Sequence, residues 1–305
     1  IALYVVALVV VGWLASKKVK NAKDYISASR GLGIIVMIGS LAGAAIGAGG
    51  TIGLAGDVYT KGISGYWQII GWNIGWLMLV FMAKRLWSTG ASSVVDVFGK
   101  SCGKTTRLAA ALACLVFSVP ALSTQLIGLG NMFKVVFSVA GIDLDYKIFV
   151  TISCIIMVFA VFKGGLYSSA YSGTFNFFIL AVVFVICLPI FTCVAAGGAS
   201  QAITNIEILP ASFKDLFAGV SVSATLLAIV KYCFTAGSNI AYVNNTLAAK
   251  DAKTARNGSI GGIISYFIIP GIIMVCTLVL INVRQYHDAK QNDTFHKDLS
   301  SKPAG

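Results

Sequence analysis

A run of glycines inside an apolar segment is the strongest chemical signal in the sequence. The segment 39–53 reads GSLAGAAIGAGGTIG, and four of its glycines fall within seven residues: Gly47, Gly49, Gly50 and Gly53. Each glycine weakens a helix by about 1 kcal/mol relative to alanine, so the pattern predicts that a helix unwinds here. A helix interrupted inside a membrane presents carbonyls to a cation and N–H groups to an anionic solute. Gly39, Gly43 and Gly47 also recur at every fourth position, and the alternative is a face for close helix packing.

A lysine in the middle of another apolar run is the second signal. An ammonium group at the centre of a membrane costs several kcal/mol unless it is paired or faces water. Lys231 is followed by Tyr232, Thr235 and Asn239, whose i, i+3, i+7 spacing predicts one polar stripe on a helix. The stripe indicates a pathway for a substrate or an ion. Polar contacts between packed helices are the alternative.

Signatures of enzymes and of transition-metal sites are weak. Residues 62–65 fit the G-x-S-G pattern of a rhomboid protease nucleophile, which needs a histidine base within reach. His287 and His296 both lie in the polar tail, and no apolar stretch contains Asp or Glu. The seven cysteines form no C-x-x-C pair. The sequence therefore indicates neither an enzyme nor a zinc or iron–sulfur site.

The elements that must position these residues are membrane helices. Only 11% of the residues are charged, 57% are hydrophobic, and the mean hydropathy is +0.86, whereas soluble domains are about a quarter charged. The composition predicts an all-α integral membrane protein in a lipid bilayer. Eight apolar stretches are candidate transmembrane helices: about 1–16, 33–56, 66–83, 108–140, 148–162, 174–196, 217–243 and 259–282.

The net charge of +12 indicates membrane topology rather than binding to nucleic acid. The connections after the first, third, fifth and seventh stretches carry fourteen Lys and Arg, and those after the second, fourth and sixth carry three. Basic loops remain on the cytoplasmic side. The distribution predicts a multi-pass protein of the plasma (cytoplasmic) membrane with its N-terminus outside.

Four segments resemble motifs of the sodium/solute symporter family. Residues 21–30 (NAKDYISASR) are similar to the family's N-x-x-D-Y-F-x-A-G-R segment, and Ser40-Leu41 begin the glycine-rich helix in the expected place. Residues 162–166 (FKGGL) resemble its G-G-L turn, and residues 246–256 (TLAAKDAKTAR) resemble its L-A-A-K-x-x-x-x-A-R loop. The four matches occur in the family's order along the chain.

The resemblance implies an inverted-repeat transporter fold, truncated here to about eight transmembrane helices. Residues 1–32 would form an extra N-terminal helix and linker, and residues 33–196 the first five-helix repeat. Residues 197–283 would hold the first two helices of the second repeat, and 284–305 an extracellular polar tail. At least three core helices would be missing, so these 305 residues would hold half of the cation site. We expect no transport from this length alone.

The resemblance also assigns roles to individual positions. It implies that the carbonyls of Gly43 and Ile46 bind sodium. It maps the substrate contacts of sugar-transporting members onto four positions: Gly50, Tyr232, Thr235 and Ala236. With the glycine run and the polar stripe, the predicted substrate pathway has six residues: Gly47, Gly50, Lys231, Tyr232, Thr235 and Asn239.

The predicted function is a cation-coupled secondary symporter that imports a small polar or anionic solute with sodium, by alternating access. No organic cofactor is expected, and the residues specify neither the solute nor an oligomeric state. One alternative is a sodium-independent or proton-linked transporter that uses Lys231. Another is a symporter-like membrane module of a sensor protein.

Overall fold

The structure is a computed structural model that describes residues 2–139, 141, 145–217, 221–237 and 239–300. Within these residues all regular structure is helical, apart from one isolated parallel bridge between Leu32 and Ala249. The predicted all-α class is therefore confirmed.

Fifteen α-helices lie in the described residues and are numbered in chain order: α1 (Ala2–Ser16), α2 (Ala22–Ser27), α3 (Ile34–Ala45), α4 (Leu54–Lys61), α5 (Trp67–Ser88), α6 (Val94–Cys102), α7 (Lys104–Val139), α8 (Tyr146–Val161), α9 (Gly165–Ala181), α10 (Leu188–Ala195), α11 (Ala199–Glu207), α12 (Ala211–Lys214), α13 (Val222–Gly237), α14 (Ile240–Leu247) and α15 (Ala252–Ser300). Short 3₁₀ segments lie at Ala28–Arg30 and Gly62–Tyr66, and π-helical segments at Gly49–Gly53 and Val182–Cys187. The π segment Val182–Cys187 joins α9 and α10 into one continuous helical run.

Each predicted apolar stretch falls on a helical segment, but the number of eight spans is not confirmed. By length and composition, five segments of the described chain can cross a bilayer: Gly49–Ser88, Lys104–Val139, Gly165–Ala195, Thr225–Leu247 and Ala252–Val283. Three apolar helices are shorter than the ~20 residues that a span needs: Val6–Ser16, Ile34–Ala45 and Tyr146–Phe159.

Two helices, α3 and α5, form the centre of the bundle. α5 packs along α13 and α15, and α3 packs along α9 and α15. Trp76 of α5, Met37 and Leu41 of α3 and Tyr242 of α14 are almost completely buried. Large apolar side chains also cover the outside, as on α7, where Val116 is 72% exposed. This surface suits hydrocarbon rather than water.

Glycines allow the central helices to approach at backbone distance. A methyl group on Gly75 of α5 would overlap the carbonyl oxygen of Cys233 on α13, and one on Gly43 of α3 would overlap that of Gly173 on α9. Close helix packing was the alternative interpretation of the spacing of Gly39, Gly43 and Gly47, and it is present at Gly43. The interruption described below follows a few residues later in the same stretch.

The last helix is longer than the sequence pattern suggests. α15 (Ala252–Ser300) continues through residues 284–300, the whole part of the predicted polar tail that the structure describes. No Gly or Pro occurs between residues 284 and 302, so nothing in the local sequence breaks the helix where its polarity changes. Residues 301–305 of the predicted tail lie outside the described residues.

The contact between α5 and α13 gives a stability prediction. Gly75→Ala forces the two backbones apart, and we expect it to lower the free energy of unfolding by about 1–3 kcal/mol, the usual cost of overpacking. The measurement is thermal unfolding in detergent. Gly56→Ala is the control, because no atom lies within 4 Å of a methyl group on this helical glycine. We expect Gly56→Ala to leave stability unchanged or to raise it, and equal losses for the two variants would contradict the packing.

Candidate functional site

The helix that begins at Ile34 stops inside its glycine-rich stretch. α3 ends at Ala45, and Ile46 has backbone angles φ −79° and ψ 69°, the values of an inverse γ-turn. The amide of Gly47 donates to the carbonyl of Ala45 at 2.9 Å, two residues back, instead of to the carbonyl of Gly43. The Gly43 carbonyl therefore lacks its α-helical hydrogen bond.

The chain returns to a helix almost at once. The π-helical segment Gly49–Gly53 leads directly into α4, and the hydroxyl of Thr51 donates to the carbonyl of Gly47 at 3.0 Å. The interruption that the glycines predict is therefore present, but it is confined to residues 46–48. Gly50 lies beyond it, within the π-helical segment.

Helix α7 lies against this interruption. A methyl group on Gly47 would be 2.8 Å from Nε2 of Gln125, and one on Gly128 would be 2.8 Å from the side chain of Ala48. Because Gly47 has no side chain, the amide of Gln125 reaches the backbone of the interrupted segment.

A second interruption divides the seventh predicted span. α13 ends at Gly237, and the side chain of Asn239 accepts a hydrogen bond from the amide of Ala241 at 3.0 Å, as the N-cap of α14. The predicted stripe that joined Asn239 to Tyr232 and Thr235 on one helix face is therefore wrong. Asparagine side chains compete for backbone hydrogen bonds and favour such caps, and glycine favours the end of a helix.

A cavity of about 560 Å³ lies between α3, α7, α9 and α14. Of the predicted site residues, Gly43 and Asn239 line it, so the cavity adjoins the end of α3 and the second interruption. Its other polar side chains are Ser40, Ser118, Gln125, Ser169, Asn244 and Asn245.

Five aromatic residues contact one another in a cluster, and none of them lines the cavity. They belong to α5, α13, α14 and α15 and are Trp72, Trp76, Tyr232, Tyr242 and Tyr266. Trp76 and Tyr242 stack with ring centroids 4.6 Å apart. A methyl group on Gly50 would lie 3.2 Å from the hydroxyl oxygen of Tyr266. The structure thus places Gly50 and Tyr232 with this aromatic cluster and not among the cavity residues.

Lys231 and Thr235 make local contacts on α13. The hydroxyl of Thr235 donates to the carbonyl of Lys231 at 2.8 Å. Lys231 is exposed, and its ammonium lies 5.2 Å from the ring centroid of Tyr232. None of these three residues lines the cavity.

Sequence reasoning missed Gln125, Asn244 and Asn245. The pair Asn244-Asn245 carried a usable signal, because two adjacent amides follow an apolar helix just before the L-A-A-K segment. Gln125 is one polar residue among several in a long helix, and only its contact with Gly47 distinguishes it.

The loops that carry the sequence motifs meet at one end of the bundle, which we call the basic end (residues 17–33, 84–104, 162–165 and 246–256). Leu32 donates to Ala248 at 3.1 Å and accepts from Lys250 at 3.0 Å. The guanidinium of Arg30 donates to the carbonyl of Trp87 at 2.7 Å, and the indole N–H of Trp87 donates to the carbonyl of Ala249 at 2.8 Å. The motifs of the first and last thirds of the chain are therefore bonded to each other.

A left-handed turn leads from the basic end into α3. Ala28, Ser29 and Arg30 have φ values of 48°, 44° and 57°, which are unfavourable for residues with a side chain. The carboxylate of Asp24 accepts from the hydroxyl of Ser29 and from the amide of Lys20 at 2.8 Å. These hydrogen bonds stabilise its charged form and hold the pKa of Asp24 below its usual value.

Comparison with known proteins gives a family for this arrangement. The model described as "Sodium:solute symporter family" matches residues 25–289, nearly the whole helical chain. The chain belongs to the sodium:solute symporter family. The predicted family is therefore confirmed, and the interruptions and the cavity lie within the matched region.

Relatives of the chain are proline transporters. It is 26% identical over 243 residues to the osmoregulated proline transporter OpuE of Bacillus subtilis, covering 76% of this chain and 47% of the relative. It is 27% identical over 226 residues to the high-affinity proline transporter PutP of the same organism, covering 70% and 46%. The chain spans about half the length of the curated relatives it matches.

A solved structure shares the fold. It is a Na⁺-coupled sialic acid symporter in a substrate-bound outward-open state, and it superposes with a TM-score of 0.76 over 94% of this chain and 60% of that one, at 16% identity. The chain therefore has the helical symporter fold of a multi-pass membrane protein.

The Asp24 carboxylate gives a prediction with a defined dependence on pH. Because its folded pKa is depressed, its stabilising effect is present above the unfolded value of about 3.9 and is lost as the pH falls through the folded value. We expect Asp24→Asn to lower the melting temperature at neutral pH and to have little effect well below about pH 4. Asp57→Asn is the control, because Asp57 is an exposed partner of Lys61 at 2.8 Å and such pairs contribute little. A loss for Asp24→Asn that is the same at both pH values would contradict this account.

Proposed function

We propose that the natural protein containing this chain is a cation-coupled secondary symporter that imports a small polar solute together with sodium. The observation that carries the proposal is the interruption of α3, which leaves the Gly43 carbonyl without its helical donor beside a polar cavity. Unwound backbone carbonyls are the groups that coordinate sodium in transporters with broken helices. Family membership and the transporter relatives support the same function.

The proposed cation site uses backbone oxygens of the α3 end. The carbonyls of Gly43 and Ile46 would bind sodium, and no side chain at either position is needed for it. Because a methyl group on Gly43 would overlap the backbone of Gly173, the backbone at this position is packed directly against α9. A backbone that is already held in place lowers the free-energy cost of binding the ion, since no rearrangement is needed.

The proposed coupling between the ion and the solute follows from the proximity of the cation site to the cavity. Gly43 belongs both to the interrupted helix and to the wall of the cavity, and Asn239 of the second interruption lines the same cavity. An ion that orders the end of α3 therefore changes the wall that a solute contacts. By thermodynamic linkage, the solute then raises the affinity for the ion by the same factor.

The proposed orientation places the basic end in the cytoplasm and the N-terminus outside, in the plasma membrane. The fourteen basic residues of the odd connections support it. Asn244, which lines the cavity, accepts from the amide of Val94 at 3.0 Å, so the cavity extends toward the basic end. In this orientation the cavity would be the cytoplasmic half of the transport path, and none of the predicted residues Gly47, Gly50, Tyr232 and Thr235 belongs to its wall.

The test is solute uptake by the full-length natural protein in proteoliposomes, driven by an inward sodium gradient. We expect uptake of at least one small polar solute to fall about tenfold or more when potassium replaces sodium on both sides. Uptake that is equal with and without sodium would contradict the proposal.

Lys231→Met separates this function from the lysine-linked alternative. Because Lys231 is exposed and does not line the cavity, we expect the variant to keep sodium-driven uptake within about twofold of the wild type. Loss of uptake in Lys231→Met, together with uptake by the wild type that does not require sodium, would favour the alternative instead.

A further inference from the structure

We propose that the cavity between α3, α7, α9 and α14 is a binding station for a solute that carries no net charge, with the amide of Asn245 as a direct contact. This inference rests on the proposed function for the solute's route, and it narrows the class of solute. It also assigns a role to a residue outside both helix interruptions.

The charge of the solute follows from the wall of the cavity. Sixteen residues line the described cavity, and none of them is Asp, Glu, Lys, Arg or His. A solute with a net charge would leave water there without a counter-charge, which is strongly unfavourable in a surrounding of low dielectric constant. The desolvation penalty is smaller for a neutral polar solute, because it carries no ionic charge. It is also smaller for a zwitterion, because its two opposite charges partly compensate each other.

The polar groups of the wall suit such a solute. Amide side chains both donate and accept hydrogen bonds, and four of them come from two facing helices: Gln125, Asn239, Asn244 and Asn245. Their donors can bind a carboxylate or a hydroxyl, and their acceptors can bind an ammonium or a hydroxyl. The charged residues on either side of the asparagines in sequence, Lys231 and Lys250, are both absent from the wall.

Asn245 supplies an independent observation. The residue is only 6% exposed, and its side-chain carbonyl oxygen is buried without a hydrogen-bond partner in the described structure. Buried acceptors are nearly always paired in native proteins, and an exception calls for a ligand, a water molecule or a functional role. Its neighbour Asn244 already accepts a hydrogen bond from the amide of Val94, so Asn245 is the residue of the pair whose side-chain oxygen has no partner in the described structure.

Equilibrium binding tests the inference without any ion gradient. The probes are L-proline as a zwitterion, D-glucose as a neutral solute, succinate as an anion and L-lysine as a cation, measured by calorimetry on the full-length protein in detergent with sodium present. We expect L-proline or D-glucose to bind about tenfold or more tightly than either charged probe. Tighter binding of succinate or L-lysine, or no binding of both net-neutral probes, would overturn the inference.

Two variants of Asn245 give a readout that a purely structural role would not change. Asn245→Ala should weaken binding of the net-neutral probe about tenfold. The isosteric Asn245→Asp should shift the preference toward L-lysine, because it adds one negative charge to a neutral wall. Asn73→Ala is the matched control, since Asn73 is 7% exposed, also has an unpaired buried carbonyl oxygen and does not line the cavity. We expect its probe selectivity to match the wild type.

The two proposals can fail separately. If the binding pattern holds and sodium has no effect on uptake, the proposed coupling is wrong and the binding station remains. If sodium drives uptake of an anion, and Asn245→Asp leaves probe selectivity unchanged, the binding station is wrong and the symporter remains.

Discussion

Unpaired backbone polar groups are not tolerated where a chain faces hydrocarbon, and this constraint governs the whole arrangement. A helix inside a membrane can be interrupted only where protein or a water-filled cavity covers the exposed amides and carbonyls. The chain interrupts two helices, at residues 46–48 and near Asn239. The cavity lies against the end of α3, just before the first interruption, and against the second interruption. Each interruption is closed by a local hydrogen bond, from Gly47 to Ala45 in one case and from Ala241 to Asn239 in the other.

The packing of the bundle serves to keep those interruptions covered. α7 places Gln125 against the first one, and the aromatic cluster joins α13 and α14, the helices on either side of the second, to α5 and α15. Trp76 is fully buried there and stacks on Tyr242, which fixes α14 relative to α5. Close glycine contacts bring α5 and α13, and likewise α3 and α9, within backbone distance, as is common in lipid-embedded bundles. Because the membrane offers no hydrophobic force between helices, their association depends on close packing. The wall of the cavity contains no charged side chain, so the site depends on shape more than on charge.

Properties that depend on local composition were predictable from the sequence. The apolar stretches, the interruption in the glycine run and the family motifs all depend on residue types within a short window. The polar stripe through Asn239 was wrong because sequence spacing does not distinguish a residue on the same helix face from one that caps the next helix. Asn239 lies i+7 from Tyr232, but it is the N-cap of α14. The roles of Gln125 and Asn245 could not be predicted, since each depends on a contact between helices far apart in the chain. The length of α15 was missed because polarity changes at residue 284 without any residue that ends a helix.

Hydrogen exchange at the first interruption tests the central claim most directly. The claim is that sodium binds to backbone oxygens where α3 ends, which orders the segment around Ile46. Exchange of amides in peptides covering residues 41–53 is measured by mass spectrometry on the full-length protein, in sodium and in an equal concentration of potassium. The account predicts slower exchange in sodium in these peptides. It predicts no change in peptides from the first half of α7, where most residues are exposed. Equal exchange in the two salts across residues 41–53 would contradict it.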